Sequence, residues 1–114
     1  MSDEDLVRCR HILDAAREAV EHTHEATRAD LDTDRKLQHT LIHLLEIIGE
    51  AAKAVSTECR QAHPEIQWRK MAGMRDRLAH GYWDINLTIV WRTVTEDLPS
   101  LITRLEAFLP AERD

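Results

Sequence analysis

The sequence predicts an all-α domain: an up-down bundle of four or five helices that spans residues 1–114 as one unit and pairs with a second copy. Three observations carry this. The 114 residues include only three glycines and three prolines. No segment alternates apolar and polar residues as a half-buried strand does. Apolar residues instead recur every three or four positions over long stretches, the mark of helices with one buried face. A chain of this length holds one modest core.

The first helix is expected from about Asp3 to Ala26. Leu6, Cys9, Leu13, Ala16 and Val20 form its stripe, Ser2 is placed to cap it, and acids in its first turn suit the positive end of the helix dipole. Residues 27–33 lack periodicity and read as a connection. A second helix is expected from about Asp34 to Cys59 or Arg60. Its residues Leu37, Leu41, Leu44, Leu45, Ile47, Ile48, Ala51, Ala52 and Val55 cover more than one stripe. A helix apolar on two faces must bury both. The second face therefore meets another copy of the chain, or the helix is central and surrounded by its own neighbours. The small residues at 49–52 would allow close approach.

His63-Pro64-Glu65 ends that run, since proline disfavours helix at the residue before it. A third helix is expected from Trp68 to Ala79, with Trp68, Met71, Met74 and Leu78 on one face and Gly81 placed for a left-handed C-terminal turn. Tyr82 to Ile85 then turn, Asn86 caps, and a last run extends from Leu87 to Phe108. Val90, Trp91, Val94, Leu98, Leu101, Ile102, Leu105 and Leu109 mark its inner face. Pro99, which has no amide proton, should kink or split it.

Charge and cysteine usage narrow the function classes. The net charge is −6, yet it is unevenly spread. Residues 1–34 hold ten acids against four bases, whereas residues 60–83 hold five bases against two acids. Anion binding follows the local field rather than the total. Arg69, Lys70 and Arg77 are accordingly candidates for contact with nucleic-acid phosphates. Cys9 and Cys59 read as small packing residues of a reducing compartment. No apolar stretch reaches membrane-spanning length, and the acidic start Ser2-Asp3-Glu4-Asp5 differs from a basic secretory signal. A cytoplasmic location is expected. His39 and His43 have the i, i+4 spacing of helical metal ligands but lack the glutamate of a zinc-protease motif. Neither a metal nor a cofactor is expected.

The densest chemistry lies in Arg75-Asp76-Arg77-Leu78-Ala79-His80-Gly81-Tyr82. Arginine offers a rigid fork of donors to phosphate, histidine moves protons near neutral pH, and tyrosine presents a hydroxyl. Arg75 and His80 are five residues apart, roughly 140° around a regular helix. They converge if the helix ends just after His80, or if two subunits bring their segments to a shared cleft. Taken alone, the pair also suits a simple charge pair at a helix C-terminus.

The segment resembles the Arg-x4-His-x-Tyr signature of the HepT-like toxins of the HEPN superfamily. The resemblance extends to Leu45-Glu46-Ile47-Ile48-Gly49-Glu50-Ala51-Ala52-Lys53. It continues through His63-Pro64-Glu65-Ile66, Trp68-Arg69 and Ala72-Gly73-Met74 to Ile89-Val90-Trp91 and Thr93-Val94-Thr95-Glu96-Asp97-Leu98-Pro99. In all it covers roughly residues 8 to 109. It implies a HEPN-type bundle acting as a dimeric, metal-independent endoribonuclease toxin, paired with a minimal nucleotidyltransferase antitoxin. It also implies that Arg75 and His80 are catalytic and that Tyr82 accepts AMP from the antitoxin, which silences the toxin. Asp76 is a departure, because the family most often has asparagine there. An aspartate beside the site favours the charged form of His80 and repels phosphate. The competing reading is a non-catalytic module that docks a nucleotidyltransferase and helps present its nucleotide or substrate.

Overall fold

A computed structural model of the chain describes residues 1–78 and 85–111, with Arg75 described by its backbone alone. Among the described residues the fold is helical and contains no β-strand. Helix α1 (Asp3–His24) begins where Ser2 accepts a hydrogen bond from the Asp5 amide at 3.1 Å. Its buried face is wider than one stripe. Ile12, Ala15 and Ala19 are covered along with Cys9, Leu13 and Ala16, because α1 packs against two later helices.

Residues 27–33 are not a plain connection. They carry a short helix, α2 (Arg28–Thr33), started by a reciprocal capping box. The Thr27 hydroxyl accepts from the Asp30 amide at 3.2 Å, and the Asp30 carboxylate accepts from the Thr27 amide at 2.8 Å. This local pattern satisfies two of the amides that a helix start leaves without partners. Leu31 is fully buried and pins α2 to the core.

Helix α3 (Arg35–Ala54) starts at Asp34, whose carboxylate accepts from the Leu37 amide at 3.1 Å. Leu37, Leu41, Leu44, Leu45, Ile48, Gly49 and Ala52 are buried by the chain's own helices. Only Ile47 and Ala51 of its expected second face remain half-buried. Packing within one subunit thus accounts for most of the apolar surface that the sequence reading offered to a second copy. Gly49 has an internal role as well. A Cβ there would sit 3.2 Å from the Met71 carbonyl oxygen, so α3 and the next layer approach backbone to backbone.

The second run ends at Ala54, earlier than Cys59. Ser56 takes an extended conformation and opens a separate helix, α4 (Thr57–Ala62). Asp5, 51 residues away, fixes this break: its carboxylate accepts from the Ser56 amide at 2.9 Å and the Ser56 hydroxyl at 2.6 Å. Arg60 then reaches back over the end of α3 and donates to the carbonyls of Ala52 at 2.7 Å, Lys53 at 3.1 Å and Val55 at 3.2 Å. A cation on the negative end of a helix completes its unsatisfied carbonyls.

Past the proline break, the Trp68 indole N–H donates to the His63 carbonyl at 2.9 Å, and the His63 ring stacks on Phe108 at 3.7 Å. The third expected helix is divided at Gly73 into α5 (Trp68–Ala72) and α6 (Met74–Leu78). Trp68, Met71, Met74 and Leu78 are all buried, as their spacing requires.

The last run comprises α7 (Leu87–Arg92), a π-helical turn (Thr93–Asp97) and α8 (Leu98–Phe108). Asn86 caps it, accepting from the Ile89 amide at 3.1 Å. Proline in a regular helix collides with the carbonyl four residues back. The wider turn, in which the Leu98 amide bonds to the Thr93 carbonyl, immediately precedes Pro99 and carries the helix past it. Val90, Val94, Leu98, Leu101 and Leu105 stay buried across the irregularity.

The long elements run up and down. Residues near positions 4–8 of α1 border positions 46–51 of α3. Arg17 meets Glu106 at 3.0 Å, and Arg10 donates to the Pro110 carbonyl. Helix α1 is therefore antiparallel to both α3 and α8. The two cysteines are unpaired and buried, as their role in packing requires. Burial above all, with Cys59 and Asp5 nearby, pushes the Cys9 thiol up to about 12, and burial likewise raises Cys59. Neither forms the reactive thiolate at neutral pH.

Candidate active site

Helix α6 carries the start of the Arg75–Tyr82 segment. Met74 and Leu78, four residues apart, are 3% and 1% exposed and hold one side of α6 in the core. The positions between them cannot all face inward on so short a helix. Asp76 and Arg77 are exposed, and the backbone of Arg75 lies between these anchors. His80, Gly81 and Tyr82 lie outside the described residues, as does the side chain of Arg75. Downstream, the Asn86 amide donates to the Leu78 carbonyl at 2.9 Å. The chain on either side of residues 79–84 is thereby clamped, with α6 held against α7 and α3.

The basic residues of the 60–83 region divide by task. Arg60 is committed to the carbonyls at the end of α3. Lys70 is partly exposed and its ammonium lies 3.2 Å from the Asp97 carboxylate on the π-helical turn. Arg69 on α5 and Arg77 on α6 are exposed. Of the three candidates for RNA contact, two therefore present charge to solvent, while the third shares its charge with a carboxylate. Sequence reasoning missed that pairing, because the widened turn that places Asp97 arises from helix packing around Pro99.

Arg104 extends the cationic surface. It lies on α8 and donates to the Glu65 carbonyl at 2.8 Å, next to the crevice that Lys70 and Asp97 also line. Its position four turns into the last run gave no signal in the sequence.

The weaker candidates stay on the surface. His39 and His43 are exposed on α3, and no group of three or more histidine, cysteine or carboxylate side chains gathers to hold a metal among the described residues. Glu50 and Lys53 form an exposed pair at 3.8 Å, as their spacing suggests. Among the described residues no helix is long and apolar enough to cross a membrane.

Comparison with known proteins places most of the chain in one family. The family described as "Ribonuclease HepT-like" matches residues 12–108. The chain is 45% identical over 93 residues to "Probable ribonuclease HepT" of Thermococcus cleftensis, covering 78% of this chain and 84% of that protein. It is 34% identical over 103 residues to "Putative RNase TTE0752" of Caldanaerobacter subterraneus subsp. tengcongensis, covering 90% of this chain and 92% of the other. A Methanocaldococcus jannaschii protein, "Putative RNase MJ0127", is 33% identical over 98 residues, covering 86% of this chain and 81% of its own length. No solved structure matches the chain. The matched span runs from the middle of α1 to the end of α8 and includes α6 and the whole Arg75–Tyr82 segment, so the chain belongs to the HepT-like ribonuclease family of the HEPN superfamily.

Proposed function

We propose that this protein is an endoribonuclease that cuts RNA without a metal, acting as the toxin of a toxin–antitoxin pair. The observation that carries the reading is the Arg75-(x4)-His80-x-Tyr82 spacing inside a family match that covers most of the chain. The names of its relatives support ribonuclease chemistry.

In this reading a histidine base removes the proton from a ribose 2′-hydroxyl. The 2′-oxygen attacks the adjacent phosphorus. Arg75 balances the charge that builds on the non-bridging oxygens, because its planar fork matches two of them. The bond to the 5′-oxygen breaks, and a second proton carrier protonates that leaving group. The products are a 2′,3′-cyclic phosphate and a 5′-hydroxyl. Two copies of His80 across a homodimer supply the base and the acid. Exposed Arg69 and Arg77 hold flanking phosphates, with Lys70 released to RNA when Asp97 is displaced. A cognate minimal nucleotidyltransferase transfers AMP to Tyr82, which fills the site and adds negative charge where phosphate binds.

Exposed Asp76 beside Arg75 favours the second reading, a docking module for a nucleotidyltransferase, since a carboxylate there opposes phosphate binding. A cleavage assay separates the two. A fluorogenic RNA should be cut in the presence of EDTA, and its 2′-deoxy counterpart should not. His80→Ala and Arg75→Ala should each lower the rate by about 10²–10³, the usual loss for one proton carrier or one charge-stabilising donor. Intact RNA with wild-type protein, or undiminished cutting by His80→Ala, would remove the nuclease assignment.

A further inference from the structure

The first turns of α1 and the C-terminal half of α3 enclose a groove of about 750 Å³. Its floor is apolar, formed by Val7, Ile47 and Ala51. Val7 is 51% exposed and, with Met1, is one of two large apolar side chains so exposed among the described residues. A β-branched residue on a solvent-facing helix position gains nothing from propensity, and here it gains little from packing. An open apolar floor framed by polar residues is the usual form of an interaction surface.

The rim says what kind of partner fits. Asp3, Glu4, Glu46 and Glu50 border the floor together with His11 and His43, against Arg8 as the one lining side chain of fixed positive charge. Arg8 is itself paired with Glu4 at 3.6 Å, and Glu50 with Lys53 at 3.8 Å, which leaves Asp3 and Glu46 as the surplus of negative charge. Glu46 and Glu50 lie one helical turn apart along α3, and Glu4 faces them from α1. A second copy of this face would bring like charge onto like charge, which is unfavourable across an interface. RNA and anionic lipid are opposed for the same reason. A helix with leucine-type residues on one side and lysine or arginine flanking them satisfies both floor and rim, laying its apolar stripe into the groove at i, i+3, i+4, i+7 spacing. The groove extends over about eight residues of each wall, roughly 12 Å, enough for two to three turns of such a helix.

We infer that the α1–α3 groove is a docking site for a cationic amphipathic helix of another protein. The surface involves none of the residues assigned to RNA cleavage, so it holds whether or not the nuclease reading does.

The probe is a fluorescent 18-residue peptide of leucine and lysine with leucines at helical i, i+3, i+4, i+7 spacing, followed by anisotropy. The full-length protein should bind it saturably and more weakly as salt is raised. A peptide with glutamate at every lysine position should not bind. Val7→Asp should weaken binding about tenfold or more, equivalent to about 1.4 kcal/mol. The double variant Glu46→Lys, Glu50→Lys should do the same while leaving the floor intact. Both changes are at exposed positions, and circular dichroism with thermal melting tracks whether the variants stay folded. Equal binding by wild type and both variants overturns the inference. So does a sedimentation experiment in which Val7→Asp turns a dimer into monomers, since a second copy would then occupy the groove.

Discussion

Asp5 shows how much one side chain can decide. Its carboxylate is 4% exposed, ends α3 by holding Ser56, and starts α4 through the same serine. The Ser56 hydroxyl first, the Ser56 amide next, then Ser2 and Arg8 hold Asp5 below the ordinary aspartate range, against the opposing effect of burial. A carboxyl whose pKa is lower folded than unfolded favours the folded state above its unfolded value, about 3.9. That contribution fades as pH falls below this value and through the folded one. Asp5→Ala should therefore destabilise the protein by about 1–2 kcal/mol near neutral pH, the scale of a lost cap plus a charged hydrogen bond. The gap between wild type and variant should shrink when urea unfolding is repeated below pH 4. A gap unchanged between pH 7 and pH 3 would mean that the carboxylate's charge is irrelevant to the junction. Residue 5 also marks a limit of sequence reading. Its place in the first turn suggested only a favourable helix-dipole charge, because nothing local connects it to Ser56.

At the scale of elements, boundaries with a local cause were legible and boundaries with a tertiary cause were not. Ser2 and Asn86 cap α1 and α7 where their side chains and the following apolar pattern require it. Thr27 with Asp30 was equally local, but the surrounding acids masked a capping box as loop composition. The end of α3 depends on Asp5, and the π-helical turn depends on how the last run must pass Pro99 while keeping Val94 and Leu98 buried. For the candidate site, the residue types and spacing of the Arg75–Tyr82 segment were readable, whereas the support beneath it was not. That support includes Gly49, which lets α5 and α6 lie against α3. Gly49→Val would add a branched side chain against the Met71 carbonyl and Met74. Overpacking of this kind costs about 1–3 kcal/mol. Because α6 leads directly into the segment, RNA cleavage by Gly49→Val should fall further than its loss of folded fraction explains. Assaying cleavage at a temperature where the variant is fully folded tests this, and full activity there would show that the α3–α5 approach serves stability alone.

At the scale of the whole molecule, charge and cover together constrain assembly. Most apolar residues of α3 are already buried within one subunit, and the α1–α3 groove is acidic. A homodimer of the kind proposed for catalysis is therefore expected to meet through the side that carries α6. Exposed Arg69 and Arg77 lie in that part of the chain, and a cleft shared there would concentrate their charge on one RNA. Under the proposed function, Tyr82 is also the residue through which an antitoxin would act. Tyr82 is the one tyrosine in the sequence, so any modification assigned to tyrosine has a single location per subunit. A partner nucleotidyltransferase supplied with ATP and Mg²⁺ should transfer AMP to the Tyr82 hydroxyl, releasing pyrophosphate, and cleavage should stop. Tyr82→Phe loses only the hydroxyl and should remain folded and active when the partner is present, provided docking alone does not inhibit. Intact-mass measurement decides the chemistry separately from inhibition: the wild-type subunit should gain adenylyl mass and the Phe variant none. Equal gain by both would move the acceptor to another side chain, and no gain by the wild type would leave occlusion by the bound partner as the means of control.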